Sequence, residues 1–254
     1  MDITHASILF IAGVLSGGLN AIVGGGAFIA FPALIFLGIP PISANATMTV
    51  SLWPGTLTSL FVQRASLRLH TRLLPVIIPL SLLGGWLGAI TLIHTSNSDF
   101  YQIVPYMLLV ACILFTWKEK IIHRASTLPL PLNHKSLYAW LLLITIQLLL
   151  SVYGGFFGAG MGIMYLACFS LLDIGTMHQI NALRNCSAAC INSIATIVFI
   201  LSDKVAWLPM GIMCSGAIIG GYVCARYAQK LPAKTIYHGA ILVAWIIILY
   251  LFWK

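Results

Sequence analysis

The chain has 254 residues, 60% of them hydrophobic and only 7% Asp, Glu, Lys or Arg. Soluble domains carry about 25% charged residues, so a soluble globular fold is excluded. The formal charge of +8 would suit nucleic acid, but the basic residues stand in short loops between apolar runs, where they set membrane orientation. The composition therefore implies an all-α polytopic integral membrane protein whose partner is the lipid bilayer, with no nucleic acid involved.

The six cysteines, Cys112, Cys168, Cys186, Cys190, Cys214 and Cys224, all lie in apolar segments. They show neither metal spacing nor a secreted disulfide framework, so no metal and no cofactor is expected. They read as small packing residues. Cys186 and Cys190 stand beside Arg184, which leaves open a role with a sulfur-containing substrate. Met1–Ser7 has no Lys or Arg ahead of its apolar run, unlike a cleaved signal peptide.

In chain order, the apolar run Ser7–Val23 breaks at Gly24, Gly25 and Gly26. A short run, Ala27–Leu37, ends at the turn signal Gly38-Ile39-Pro40-Pro41. Ala44–Val62 follows, with Pro54-Gly55 in its middle, a pair that predicts a kink and a freed carbonyl. A basic loop with Arg64, Arg68 and Arg72 leads to the span Leu74–His94. The loop Thr95–Phe100 and the span Tyr101–Trp117 complete the first half. Lys118–Ser136 reads as a polar linker loop. The second half repeats the order: Leu137–Phe157, a break at Gly158–Gly162, a short run Ile163–Leu172, then spans His178–Leu201, Trp207–Arg226 and Ile236–Trp253.

One constant offset, with no gap, relates the halves. It places Gly18, Gly24 and Gly26 on Gly154, Gly160 and Gly162, Asn45-Ala46 on Asn181-Ala182, and Gly84-Gly85 on Gly220-Gly221. The basic loops Arg64–Arg72, Lys118–Lys135 and Arg226–Lys234 are expected on the cytoplasmic side of a cell inner membrane. Each half then makes an odd number of crossings. Residues 1–118 and 137–254 become two repeats of inverted orientation, joined by a linker at 119–136, with both termini outside. Each repeat is a glycine-broken helix pair followed by three spans. The short runs after the breaks have about 10–11 residues against the roughly 20 that cross a bilayer, so half-helices and tilted spans both remain open.

Inverted repeats with paired broken helices suit a secondary transporter that holds its substrate near the midplane. Helix N-termini at the breaks present N–H groups to an anion. The candidate substrate site therefore takes Gly24, Gly25, Gly26, Gly158, Gly160 and Gly162. The following helices add matching polar stripes: Asn181, Asn185 and Asn192 in the second half, over Asn45, Thr49 and Thr56 in the first. Arg184 borders that stripe. A buried cation costs at least about 2.5–3.5 kcal/mol on insertion scales, which points to a functional use. Its guanidinium could clamp a carboxylate, sulfonate or phosphate. The alternatives are an ion pair with Asp173 or a side chain that snorkels to the interface. Met48 occupies the equivalent position in the first half, so the site need not be symmetric. Asp173 and His178 form a candidate proton relay, against the plainer reading of two polar residues at a helix end. Buried acids are nearly absent, which argues against a cation substrate. No protease or hydrolase motif appears, so the chain is not expected to be an enzyme.

Several ordered motifs then carry a family resemblance. They are Gly24-Gly25-Gly26 with Pro32, Asn45-Ala46-Thr47, Trp53-Pro54-Gly55, Tyr153-Gly154-Gly155-Phe156-Phe157-Gly158, the Gly160 and Gly162 pair, Asn192, and Gly220-Gly221. Through them the chain resembles, over nearly its whole length, the sulfite exporter TauE/SafE family of membrane permeases. The resemblance implies export of small, often sulfur-containing anions such as sulfite, sulfonates or related organic acids. Where family members often carry Lys in the second half, this chain has Arg184, which changes donor geometry. The combined expectation is an alternating-access anion transporter. A passive anion channel and a non-transporting membrane assembly or sensor protein are the rivals, and a homo-oligomer is left open.

Overall fold

The computed structural model describes residues 2–22, 25–67, 73–127, 137–172, 174–227 and 245, with the side chains at 22, 62–66, 118, 126, 178, 225 and 227 left aside. Among the described residues there are ten helices and no strand. In the first half they are α1 (Ile3–Ile22), α2 (Ala27–Phe36), α3 (Pro41–Leu67), α4 (Leu74–His94) and α5 (Asn97–Thr116). A short α6 (Lys118–Thr127) precedes α7 (Leu137–Phe156), α8 (Met161–Leu171), α9 (Met177–Leu201) and α10 (Trp207–Tyr227). The expected span Ile236–Trp253 lies outside the described residues, apart from Trp245.

The chain is an all-helical polytopic membrane protein. Six helices, α1, α4, α5, α7, α9 and α10, are long and apolar enough to cross a bilayer. The helices α2 and α8 have 10 and 11 residues. At 1.5 Å per residue each rises about 15–17 Å, half the hydrocarbon thickness, so neither crosses alone. Helix α3 has 27 residues, enough to cross, but it is too polar to read as a lipid-facing span. Its polar side chains are used internally. The Ala206 N–H donates to Thr47 Oγ1 at 2.9 Å, Ser51 Oγ donates to the Met210 carbonyl at 3.3 Å, and Trp53 Nε1 donates to Ser193 Oγ at 2.8 Å. A polar helix is tolerated in a membrane when its neighbours satisfy it in this way.

Two sequence expectations change. The segment Lys118–Ser136 is not all loop, because its first ten residues form α6. Lys, Glu, Ile and Arg tolerate a helix, Glu119 lies in the first turn and Arg124 in the last, as the helix dipole favours. Ile122 packs on the apolar cluster around α8, which anchors the segment. The second change concerns Pro54-Gly55, where helical structure continues without interruption. Gly55 serves close packing: a Cβ there would lie 2.8 Å from the Ala217 carbonyl oxygen of α10. The hydroxyls of Thr58 and Ser59 donate to the Gly55 carbonyl at 2.8 and 2.9 Å, tying up an acceptor beside the proline.

Helix boundaries follow capping chemistry. Helix α2 ends in a Schellman motif, with the Gly38 N–H on the Ile35 carbonyl and the Ile39 N–H on that of Leu34. Gly38 takes φ +77°, the left-handed conformation this motif requires. Helix α5 starts one turn earlier than expected because Ser96 caps it, its Oγ accepting from the Asp99 N–H at 3.1 Å.

The offset between the halves recurs in the fold. Helices α1, α2, α3 and α4 start at Ile3, Ala27, Pro41 and Leu74, and α7, α8, α9 and α10 at Leu137, Met161, Met177 and Trp207. Each pair of starts keeps the sequence offset to within one helical turn. Helix partnerships exchange in the same way. α1 packs along α10 as α7 packs along α4, α3 packs on α10 as α9 packs on α4, and α3 meets α9 directly. The double glycines make these seams. A Cβ at Gly220 would strike the Val14 backbone of α1, and one at Gly84 would strike Ser151 of α7. A Cβ at Gly85 or Gly221 would lie 2.9 Å from Ile191 Cα or the Gly55 oxygen, two positions that the same offset relates. Between lipid-exposed helices this contact has no hydrophobic driving force, so backbone approach is its main source of stability.

Gly220→Val is therefore expected to lower the thermal midpoint in detergent by several degrees, in line with roughly 1–3 kcal/mol of overpacking. Gly211→Ala on the same helix, where a Cβ meets nothing within 4 Å, is expected to leave the midpoint within about a degree.

Candidate functional site

The site grows from the two helix breaks. At the first, the Asn20 side chain turns back to accept the Gly26 N–H at 3.0 Å, bridging the end of α1 and the start of α2. Gly25 and Gly26 allow this corner, since a Cβ would meet the Phe115 ring at one and the Ser16 carbonyl at the other. At the second break, Gly158 and Gly160 take φ +76° and +74°. The Gly158 N–H donates to the Tyr153 carbonyl at 3.1 Å, and the Tyr153 hydroxyl donates to the Ala159 carbonyl at 2.5 Å. Gly160 then caps α8, with Ala111 of α5 only 3.0 Å from where its Cβ would be.

Each repeat satisfies the other repeat's broken helix. Asn45 Nδ2 on α3 donates to the Phe156 carbonyl at the end of α7, at 3.0 Å. Arg184 Nη2 on α9 donates to the Asn20 carbonyl near the end of α1, at 3.4 Å. Asn20 and Phe156 are equivalent under the offset, so the two ties are counterparts. One is neutral and the other is charged.

Arg184 is 1% exposed, which rules out snorkelling to the interface. Its Nη2 also donates to Asn185 Oδ1 at 2.6 Å, and its Nε is buried without a partner. Beside it lies a cavity of about 50 Å³. Helices α3 and α9 wall it with four equivalent pairs: Met48 and Arg184, Thr49 and Asn185, Leu52 and Ala188, Thr56 and Asn192. Gly158, Met161 and Gly162 bring the first turn of α8 to its edge, and Ala27 brings the start of α2. Asn20, Gly154 and Phe157 complete the lining. Among the described lining residues there is no acidic side chain and one cation.

Of the residues singled out from sequence, Thr49, Gly158, Gly162, Arg184, Asn185 and Asn192 line this cavity. Asn45 lies behind the wall, accepting the Thr49 hydroxyl on its carbonyl at 2.9 Å. Gly25, Gly26 and Gly160 shape the corners without lining the space. Asn181 shares the angular position of Asn185 and Asn192, but it is half-buried and one turn nearer the start of α9, about 6 Å along the axis. Gly24 and Asp173 lie outside the described residues, as does the His178 side chain, so the relay is not placed. Asn20 was missed. Its signal was a lone polar side chain in the last turn before the first break, but the repeat puts Phe156 at the equivalent position and so offered no match.

These features coincide with a family match. A family model described as Sulfite exporter TauE/SafE matches residues 9–251. The chain belongs to the TauE/SafE family. A probable membrane transporter protein of Haemophilus influenzae is 27% identical over 222 residues, covering 87% of this chain and 84% of that relative. A probable membrane transporter protein of Sinorhizobium is 26% identical over 233 residues, covering 91% and 85%. The probable membrane transporter protein YfcA of Escherichia coli K12 is 24% identical over 231 residues, covering 90% and 82%. No solved structure matches the chain. TauE/SafE membership makes this a multi-pass membrane protein of a transporter family, not of an enzyme family.

In this family member the Arg184 cluster makes a stability prediction with opposite signs. Arg184→Met removes a buried charge and installs the residue found at the equivalent position, so the detergent thermal midpoint is expected to hold or rise. Asn185→Ala leaves the charge without its 2.6 Å partner and is expected to cost about 1.5–3 kcal/mol, read as a lowered midpoint.

Proposed function

We propose that this TauE/SafE protein is a secondary transporter that exports small anions, sulfite, sulfonates or related organic acids among them, by alternating access between inverted repeats. One observation carries the reading: a fully buried guanidinium, with an Nε that has no protein partner, opens on a cavity flanked by both helix breaks. A charge in that position is costly unless a ligand of opposite sign uses it. The first turn of α8 adds backbone N–H groups and the positive end of a helix dipole. The four equivalent pairs on α3 and α9 put the cavity where the repeats meet, so rocking of one repeat against the other would change access on either side of the anion. The family name supports sulfur oxyanions as cargo.

In this reading Arg184, Asn185, Asn192, Thr49 and the Gly158–Gly162 turn hold the anion, and Asn45 and Asn20 hold the breaks in place. Residues 1–118 and 137–254 form the two repeats, the 119–136 linker is cytoplasmic, and both termini lie outside an inner membrane. The exchange of helix partnerships under one offset supports the repeat arrangement, and the basic loops support its inversion.

Proteoliposomes with entrapped sulfite or short sulfonates are expected to show saturable flux and accelerated exchange of labelled anion. Arg184→Gln is expected to reduce both at least 10-fold. Non-saturating flux without exchange would identify a channel, and no flux of any anion would sink the proposal. For orientation, single cysteines at Leu67 and Asp203, equivalent positions of the two repeats, are expected to label from opposite faces. Labelling from the same face would rule out inversion.

A further inference from the structure

We propose that the cavity selects small monoanions with an apolar end, and discriminates against dianions and zwitterions of the same size. The inference rests on the anion-transport reading and narrows its substrate class.

The first argument is charge count. Arg184 is the one charged side chain among the described residues of the lining. One negative charge on the ligand neutralises it. A second would remain buried beside amides, hydroxyls and apolar groups, which do not repay its lost hydration. A zwitterion meets the converse problem. Its ammonium would find only the oxygens of Asn185, Asn192, Thr49 and Thr56, with no carboxylate among the described lining residues.

The second argument is the difference between the walls. At equivalent positions α9 presents Arg184 where α3 presents Met48. Met48 and Leu52 make the α3 wall apolar, and Phe157 and Met161 extend that surface towards α8. A bound anion therefore has one orientation, with its oxygens on the Arg184 side and its remaining end against Met48 and Leu52. A polar or charged end would displace water there without gaining a partner. The cavity of about 50 Å³ admits a ligand of only a few heavy atoms.

The geometry of the guanidinium fits this head group. Nε is buried and without a partner, and Nη2 holds Asn185 at 2.6 Å but Asn20 at only 3.4 Å. An oxyanion on the Nε–Nη2 edge takes two parallel hydrogen bonds. It replaces the long bond to Asn20 and keeps the short one to Asn185.

Two near-isosteric pairs test this on the purified full chain in detergent at pH 7.5, by calorimetry and ligand-induced thermal shift. Methanesulfonate and sulfate are both tetrahedral oxyanions but differ by one charge and one methyl. Propane-1-sulfonate and taurine share their length but differ by an ammonium. The first of each pair is expected to bind at least 10-fold more tightly. Met48→Lys, which adds a second positive charge opposite Arg184, is expected to reverse the methanesulfonate–sulfate order. Should that variant fold poorly, Met48→Gln is expected to shrink the methanesulfonate advantage at least threefold. If sulfate or taurine binds the parent protein within twofold of its counterpart, the selectivity inference is overturned while anion transport stands. If none of the four anions binds and none is moved by proteoliposomes, both readings fall.

Discussion

A helix that stops inside a membrane leaves carbonyls and N–H groups that lipid cannot satisfy. This chain stops two helices that way, α1 and α7, and the rest of the structure answers the consequence. Asn45 donates to the Phe156 carbonyl and Arg184 to the Asn20 carbonyl, so each broken end is completed by a side chain from the other repeat. Asn20 and the left-handed Gly158 and Gly160 complete the turns themselves. The same ties that stabilise the breaks bring α3 and α9 together, and the cavity lies between those two helices.

The two repeats build this centre from equivalent positions with unlike chemistry. Met48 faces the role that Arg184 fills, and Leu52 stands where Ala188 does. Polar residues are unequal elsewhere too. In the second repeat Gln147 donates to Ser81 and Ser187, and Ser151 bonds to Tyr165, all fully buried. The first-repeat residues equivalent to Gln147, Ser151 and Tyr165 are Ile11, Leu15 and Ile29. Duplication thus supplied the architecture, and divergence placed charge and hydrogen bonding on one side of it.

Around the centre, stability comes from backbone proximity more than from hydrophobic burial. Glycines along α1, α4, α7 and α10 let paired helices touch at their carbonyls. Aromatic groups then lock the short helices in place. Phe28 and Phe115 stand 5.0 Å apart, and Phe31 meets Phe157 edge-on at 5.5 Å, so α2 is held against α5 and against the break of the opposite repeat. These contacts fix where the half-helices point, and through them where the cavity opens.

Membrane character, the internal repeat, both breaks and the family resemblance were legible in the sequence, because hydropathy, glycine runs and a constant offset can all be read along the chain without knowing how it folds. Arg184 stood out for the same reason, as a lone cation in an apolar segment. Its burial did not, since snorkelling and an interior position look alike until neighbouring helices are placed. The helical start of the 118–136 segment was hidden by its polarity and depended on Ile122 packing around α8. Asn181 and Asn20 show the remaining limit. Helical periodicity gives an angle around an axis, so it put Asn181 on the site's face. It gives no depth at which another helix crosses, so it neither moved Asn181 out of the cavity nor brought Asn20 in from the opposite repeat. Local pattern determined which parts this protein has. Only the tertiary structure, through packing between distant segments, decided which of them meet.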